Sequence, residues 1–168
     1  MLSDKYPSLT RKLSSFVNSH ERILYVNLDA RGLTTENNDI LLQSFIEAIN
    51  EKIVDGVVWS LPRSSFNNLS STLKLADGTL IHTHSILNNN NPDIYVTGFT
   101  PQFAILKHNN TKLFLSNGDS VSSYESLYTA TPMLLMPHDN HAGNVERLII
   151  LVSGQRQLDV GGILKKMD

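Results

Sequence analysis

Residues 23–61, ILYVNLDARGLTTENNDILLQSFIEAINEKIVDGVVWSL, decide the fold. The run Ile23-Leu24-Tyr25-Val26-Asn27-Leu28 is β-rich and mostly apolar, which predicts a strand buried on both faces. Gly32 and Thr34-Thr35 break it. Thr35 or Asn38 is then placed to cap a helix whose apolar face is Ile40, Leu41, Phe45, Ala48 and Ile49. Asp55-Gly56 predicts a turn, and Val57-Val58-Trp59-Ser60-Leu61 a second buried strand. The stretch is one strand–helix–strand unit.

Further along, residues 62–92 are polar and irregular, with a small excursion over Leu73–His84 that turns at Asp77-Gly78. Asn88–Asn91 and Pro92 predict a surface loop. Alternation then resumes. Strands are expected at Ile94–Val96, Leu113–Leu115 and Met133–Met136. Helices are expected at Pro101–Lys107, Ser120–Tyr128 and Asn144–Val152, with another opening at Ile163. Strands alternating with helices imply a parallel sheet with right-handed crossovers, so the class is α/β and Rossmann-like. Ligands of such sheets bind beyond the carboxyl ends of the strands, at the topological switch point. Residues 29–32, 60–63, 97–102, 116–120 and 137–144 are therefore the ones to read for function. No internal repeat or linker divides the chain, which reads as one domain.

Composition narrows the partners. The net charge of −2 leaves no basic footprint for nucleic acid. Cysteine is absent, which excludes disulfides and thiolate chemistry. No apolar run reaches the roughly 18 residues of a transmembrane helix, and MLSDKYPSLTRKL at the start has no signal-peptide core.

A series of short motifs runs through the second half of the chain. In order they are Phe99-Thr100-Pro101-Gln102, Ile105-Leu106-Lys107-His108, Phe114-Leu115-Ser116-Asn117-Gly118, Tyr124-Glu125-Ser126-Leu127, Thr131-Pro132-Met133 and Gly143-Asn144. Together they resemble the signature of family 1 UDP-glycosyltransferases. That signature runs aromatic then Pro-Gln, Leu-x-His, Phe-hydrophobic-Thr-His-Gly-Gly, a Glu eight residues after that His, Gly-x-Pro, and Asp-Gln before a later Asn. The spacing matches with one residue fewer before the final Asn. Leu13–Val17 resembles the family's interdomain segment and Ile23–Asp29 its first C-domain strand. The resemblance spans nearly the whole chain and is strongest to fungal and animal members, the UDP-glucosyl and UDP-glucuronosyl transferases. The fold it implies is the C-terminal, donor-binding half of a two-domain GT-B enzyme: a three-layer sandwich around a parallel sheet.

The resemblance implies a role for each matching position. Phe99 stacks on uracil where the family usually has Trp, an interaction that needs only a π-surface. Gln102 hydrogen-bonds the base edge, its amide both donating and accepting. Glu125 accepts from the ribose hydroxyls. Asn117, Gly118 and the helix start at Ser120 hold the pyrophosphate, because free N–H groups and the dipole make a helix N-terminus an anion site. Asn140 and His141 fall where Asp-Gln contacts the sugar hydroxyls, with Asp139 able to shift into the acidic role. Four departures weaken the phosphate site. Asn117 replaces a His and Asp119 the second Gly, Val121 stands where Asn is common, and Asp29-Ala30 replaces Gly-Ser or Gly-Thr.

On the residues alone, bland readings stand beside these. Phe99 also reads as a core aromatic, Gln102 as a helix cap, Glu125 as a solvated helix residue and Asn117-Gly118 as an ordinary turn. His108 reads as structural. His82-x-His84 sets two imidazoles on one face of a strand but lacks a third ligand, and His138, Asp139 and His141 are an equally thin metal set. No metal is assigned.

The activity implied is transfer of a hexose from a UDP-sugar to a hydroxyl of a small, lipophilic acceptor, with inversion. UDP-sugar is a substrate, and no cofactor is implied. The family's catalytic His lies in its N-terminal domain, to which no segment corresponds. Residues 1–168 thus read as a single donor-binding domain without the acceptor domain or the last C-terminal helices. No catalytic residue is assigned, and the isolated chain is expected to be inactive. Animal-type members carry a membrane anchor beyond the point where this chain ends, which leaves endoplasmic reticulum association open. Two other readings compete. One is a degenerate, non-catalytic glycosyltransferase-fold module, motivated by Asp29, Asn117 and Asp119. The other is a flavodoxin-like domain, which would need a Ser/Thr/Gly-rich loop after the first strand where Asp29-Ala30-Arg31 stands.

Overall fold

The computed structural model describes residues 6–28 and 33–136. Helix α1 (Arg11–Asn18) opens the fold, capped by Thr10, whose hydroxyl accepts from Leu13 N at 3.3 Å. Strand β1 (Ile23–Asn27) follows, then α2 (Thr35–Asn50) and β2 (Gly56–Ser60). A 3-10 turn at Arg63–Asn68 leads into β3 (Thr72–Lys74) and β4 (Leu80–His82), and α3 (Thr83–Leu87) leads to β5 (Ile94–Thr97). The rest alternates as α4 (Gln102–Leu106), β6 (Thr111–Ser116), α5 (Ser120–Thr129) and β7 (Met133–Leu135).

Five strands form one sheet in the order β5-β2-β1-β6-β7, every pairing parallel. The chain starts at the central strand, winds outward through β2 to β5, then returns to the other side of β1 through β6 to β7. The direction reverses between β1 and β6, and the carboxyl ends there, Asn27 and Ser116, are register partners. This is the switch point at which such sheets take ligands. The short β3–β4 pair is an antiparallel hairpin outside the sheet, turning at Asp77-Gly78 as expected; Gly78 has φ of +90°.

Strand alternation divides the core into two layers. Leu24, Val26, Val57, Trp59, Ile94 and Val96 face Leu41, Leu42 and Phe45 of α2. Trp59 meets Phe45 edge-on at 5.4 Å. Ile23, Tyr25, Val58 and Phe114 pack on the other side with Leu13 and Val17 of α1 and with Ile105 and Leu106 of α4. Gly56 is needed where β2 begins, since a Cβ there would lie 2.8 Å from the His20 ring.

Local readings needed correction in three places. The cap of α2 is Thr34, not Thr35 or Asn38: its extended backbone lets the hydroxyl accept from Asn37 N at 3.2 Å. Asn38 sits one turn inside the helix, buried, with its amide on the Asn68 carbonyl at 3.0 Å. The buried stripe of α2 accordingly includes Leu42, while Ile40 is half-buried. His82 and His84 do not share a strand face, because the chain turns helical at Thr83. Among the described residues no group of three or more His, Asp or Glu side chains is arranged to hold a metal. The expected helix at 144–152 and the one opening at Ile163 lie outside the described residues.

Candidate functional site

Tyr25 and Asn27 are two residues apart on β1, so both side chains leave the same face at its carboxyl end. They converge on Gln102, the first residue of α4. Gln102 Oε1 accepts from Asn27 Nδ2 at 2.7 Å and from the Tyr25 hydroxyl at 3.3 Å. Gln102 Nε2 donates to Glu125 Oε2 at 2.8 Å and to Ser122 Oγ at 3.1 Å. A carboxamide offers two lone pairs and two protons, and all four are engaged. The Glu125 carboxylate fixes the orientation, since the flipped amide would set a carbonyl against it. Pro101, not Gln102, occupies the cap of α4, so the helix-cap reading of Gln102 does not hold.

Tyr25 anchors this network from below. Its ring is fully buried and stacks on Phe114 at 5.0 Å. Burial pushes its phenol well above the ordinary range; the Thr100 hydrogen bond opposes this and the Glu125 charge adds to it. The hydroxyl therefore stays protonated, shared with Thr100 at 2.7 Å. Thr100 Oγ1 in turn donates to Ser60 Oγ at 3.4 Å, at the end of β2. Glu125, on α5, is half-buried, and among the described residues its second oxygen makes no hydrogen bond.

Phe99 lies three residues before Gln102 and is 69% exposed, so it is not a core aromatic. Its backbone is held by Thr97, whose hydroxyl donates to Phe99 O at 3.1 Å. Among the described residues no other ring stacks on it. An exposed ring on a pinned backbone offers a face to a flat ligand.

The loop after β6 is built differently from a bare anion cradle. Asn117 is buried and its Nδ2 donates to Met136 O at 3.0 Å, tying the end of β6 to that of β7. Gly118 adopts φ of +80°, and its N–H donates to Ser116 Oγ at 3.2 Å. Asp119 caps α5, Oδ1 accepting from Ser122 N at 3.0 Å. Ser120 is exposed at the first position of the helix. His108 bonds Asn18 at 3.3 Å and Asn110 N at 3.2 Å, where it fastens the β6 approach to α1. Asn140 and His141, like Asp29, His138, Asp139 and Gly143-Asn144, lie outside the described residues.

The structure thus brings Gln102 and Glu125 into contact, leaves Phe99 exposed three residues before Gln102, and places Asn117, Gly118 and Ser120 at the end of β6. Sequence reading missed Tyr25, Asn27 and Ser122. The available signal was two polar tips at alternate positions of an otherwise apolar strand, next to its carboxyl end. A separate hollow of 210 Å³ is lined by Tyr6, Phe103, Tyr124, Glu125 and Tyr128. It shares Glu125 with the network but not Phe99 or Gln102. No helix of the described residues is long and apolar enough to cross a membrane.

With this geometry in place, comparison with known proteins gives the family. Residues 9–156 match the family model described as UDP-glucoronosyl and UDP-glucosyl transferase. UDP-glycosyltransferase 1 of Phaeomoniella chlamydospora is 34% identical over 140 residues, covering 82% of this chain and 26% of that protein. A UDP-glycosyltransferase of Talaromyces amestolkiae is 28% identical over 154 residues, covering 88% and 29%. The chain thus spans about a quarter to a third of the length of these relatives. Among solved structures, a variant of Os79 from O. sativa in complex with UDP superposes with a TM-score of 0.64 at 16% identity, covering 95% of this chain and 33% of that one. A UDP-glucosyltransferase from Polygonum tinctorium capable of glucosylating indoxyl gives 0.62 at 18% identity, covering 89% and 30%. The fold is accordingly the Rossmann-like α/β sandwich of GT-B glycosyltransferases, and the chain belongs to the UDP-glucoronosyl and UDP-glucosyl transferase family.

Proposed function

We propose that this chain is the donor-binding domain of an inverting UDP-glycosyltransferase that moves a hexose from a UDP-sugar to a hydroxyl of a small, lipophilic acceptor. The observation that carries the reading is the Gln102–Glu125 pair, tied through Asn27 to the carboxyl end of β1 at the switch point of the sheet, with the exposed Phe99 ring three residues before Gln102. Uracil would rest on Phe99, and the ribose hydroxyls would donate to the Glu125 oxygen that Gln102 leaves open. Gln102 can read the base edge only by giving up one of its four internal bonds. The diphosphate would lie against Gly118 and the N-terminus of α5, and Asn140 and His141 would meet the sugar. In the reaction the acceptor oxygen bonds to the anomeric carbon, the bond to the diphosphate oxygen breaks, and UDP departs. The acceptor proton passes to a base outside this chain. No cofactor takes part. The acceptor half belongs to the remainder of a longer enzyme, so residues 1–168 alone would not glycosylate.

Titration calorimetry with UDP tests this. Micromolar binding is expected, weakened in Phe99→Ala by roughly the 1–3 kcal/mol of a base–aromatic stack. A second reading, a degenerate non-catalytic module of the same fold, is favoured by Asn117 being tied to Met136 and Asp119 capping α5. Silence up to millimolar UDP supports that module and refutes the donor site.

A further inference from the structure

The N-terminus of α5 already holds an anion. Asp119 Oδ1 accepts from Ser122 N at 3.0 Å, so an N–H of the first helical turn points at the chain's own carboxylate. The same Ser122 accepts from Gln102 at its hydroxyl, and Gln102 holds Glu125. Asp119 is therefore joined through one serine to Gln102, read above as the base contact, and through Gln102 to Glu125, read as the ribose contact, and its carboxylate is held in place by the cap. Among the described residues of this network none supplies a countercharge: Asn27, Gln102, Ser122, Thr100 and Tyr25 are neutral, and Glu125 is a second carboxylate. Asn117, at the adjoining strand end, carries no charge either, and its amide donates to Met136 O.

We propose that Asp119 is a specificity-determining residue that sets this site against the diphosphate, so that affinity resides in the nucleoside half of the ligand. The inference rests on the donor-site reading above. Its physical basis is competition for one helix end. A diphosphate gains from a helix N-terminus because the N–H groups and the dipole face it unopposed. Here the dipole is already complemented by a carboxylate, and an incoming diphosphate meets like charge within a few ångströms. Uridine, which has no charge, does not encounter that repulsion. The ligand class that suits the site as it stands is thus a uridine whose 5′ substituent carries less negative charge than a free diphosphate.

The test is calorimetry of the full 168-residue chain with uridine, UMP and UDP. A chelator in the buffer keeps magnesium from bridging carboxylate and diphosphate. The variants are Asp119→Asn and Asp119→Ser, both good helix caps, so the fold is kept while the charge goes. The expected result is that the unaltered chain binds uridine at least as tightly as UDP. Each variant should tighten UDP about tenfold and UMP by less, with uridine unmoved, as expected for removal of one charge a few ångströms away. If uridine binds but neither variant changes the UDP-to-uridine ratio, the role of Asp119 is overturned and the nucleoside site stands. If uridine and UDP both fail to bind to all three proteins, the nucleoside site is refuted and this inference with it.

Discussion

Replacing Gln102 by Leu removes the group on which the site converges. The side chain keeps its approximate volume but loses its bonds to Asn27, Tyr25, Glu125 and Ser122. The two short ones decide the magnitude. The neutral bond to Asn27 at 2.7 Å contributes about 1 kcal/mol, and the bond to the Glu125 carboxylate at 2.8 Å about 2 kcal/mol. The Tyr25 bond adds little, because its hydroxyl keeps the 2.7 Å Thr100 partner. Water reaches this half-exposed site and replaces part of the loss, so the expected destabilisation is about 2 kcal/mol. Urea unfolding of the single and double variants is the assay. Paired with Glu125→Leu in a double-mutant cycle, Gln102→Leu should show a coupling of about 1 kcal/mol, since the residues are in direct contact. A loss below about 0.5 kcal/mol with zero coupling, the behaviour of an ordinary surface substitution, would refute the view that Gln102 is the hub.

Two further outcomes follow from single residues. Ala130 closes α5 in the left-handed conformation, φ 55° and ψ 29°, which disfavours a Cβ. Ala130→Gly should therefore stabilise the fold by about 0.5–1 kcal/mol, read as a rise in thermal midpoint. The Asp55 carboxylate accepts from Glu21 N at 3.0 Å and Arg22 N at 2.7 Å, fixing the entry to β1. Partial burial works to raise its pKa, but those N–H groups, with the charges of His20 and Arg22, hold it below the ordinary carboxylate range. A pKa lowered by folding stabilises above the unfolded value, about 4, and that contribution is lost as pH falls through the folded value. The unfolding midpoint of the native chain should therefore fall more steeply on acidification than that of Asp55→Asn, the two curves converging once the pH has passed below the lowered folded value.

Much of the fold was legible because its signals are local and its periods clean. The apolar runs at Ile23–Leu28 and Val57–Leu61 and the resumption of alternation at Ile94 each correspond to an observed element, and parallel order follows from alternation; the turn expected at Asp55-Gly56 lies earlier, at Glu51-Lys52, and Gly56 opens β2. Helix α3 was missed because Thr83–Leu87 is too short to show a period, and the two-histidine strand face failed with it. The cap of α2 was misplaced by one residue because Thr34 and Thr35 offer the same hydroxyl, and only the backbone angle distinguishes them. At the site, the motifs named Gln102 and Glu125 but not what joins them. Asn27 and Ser122 lie 75 and 20 residues from Gln102, and no local pattern announces a contact across that separation. Asp119 was legible as a departure in charge; that it caps α5 emerges only from the position of Ser122 N.

The central claim is a uridine site between an exposed ring and a carboxylate at the switch point of the sheet. A crystal of the chain soaked with UDP tests it most directly. The account predicts uracil density lying flat on Phe99, with a ribose hydroxyl within hydrogen-bond distance of Glu125. Nucleotide seated instead in the hollow of Tyr124 and Tyr128, with Phe99 bare, would contradict it.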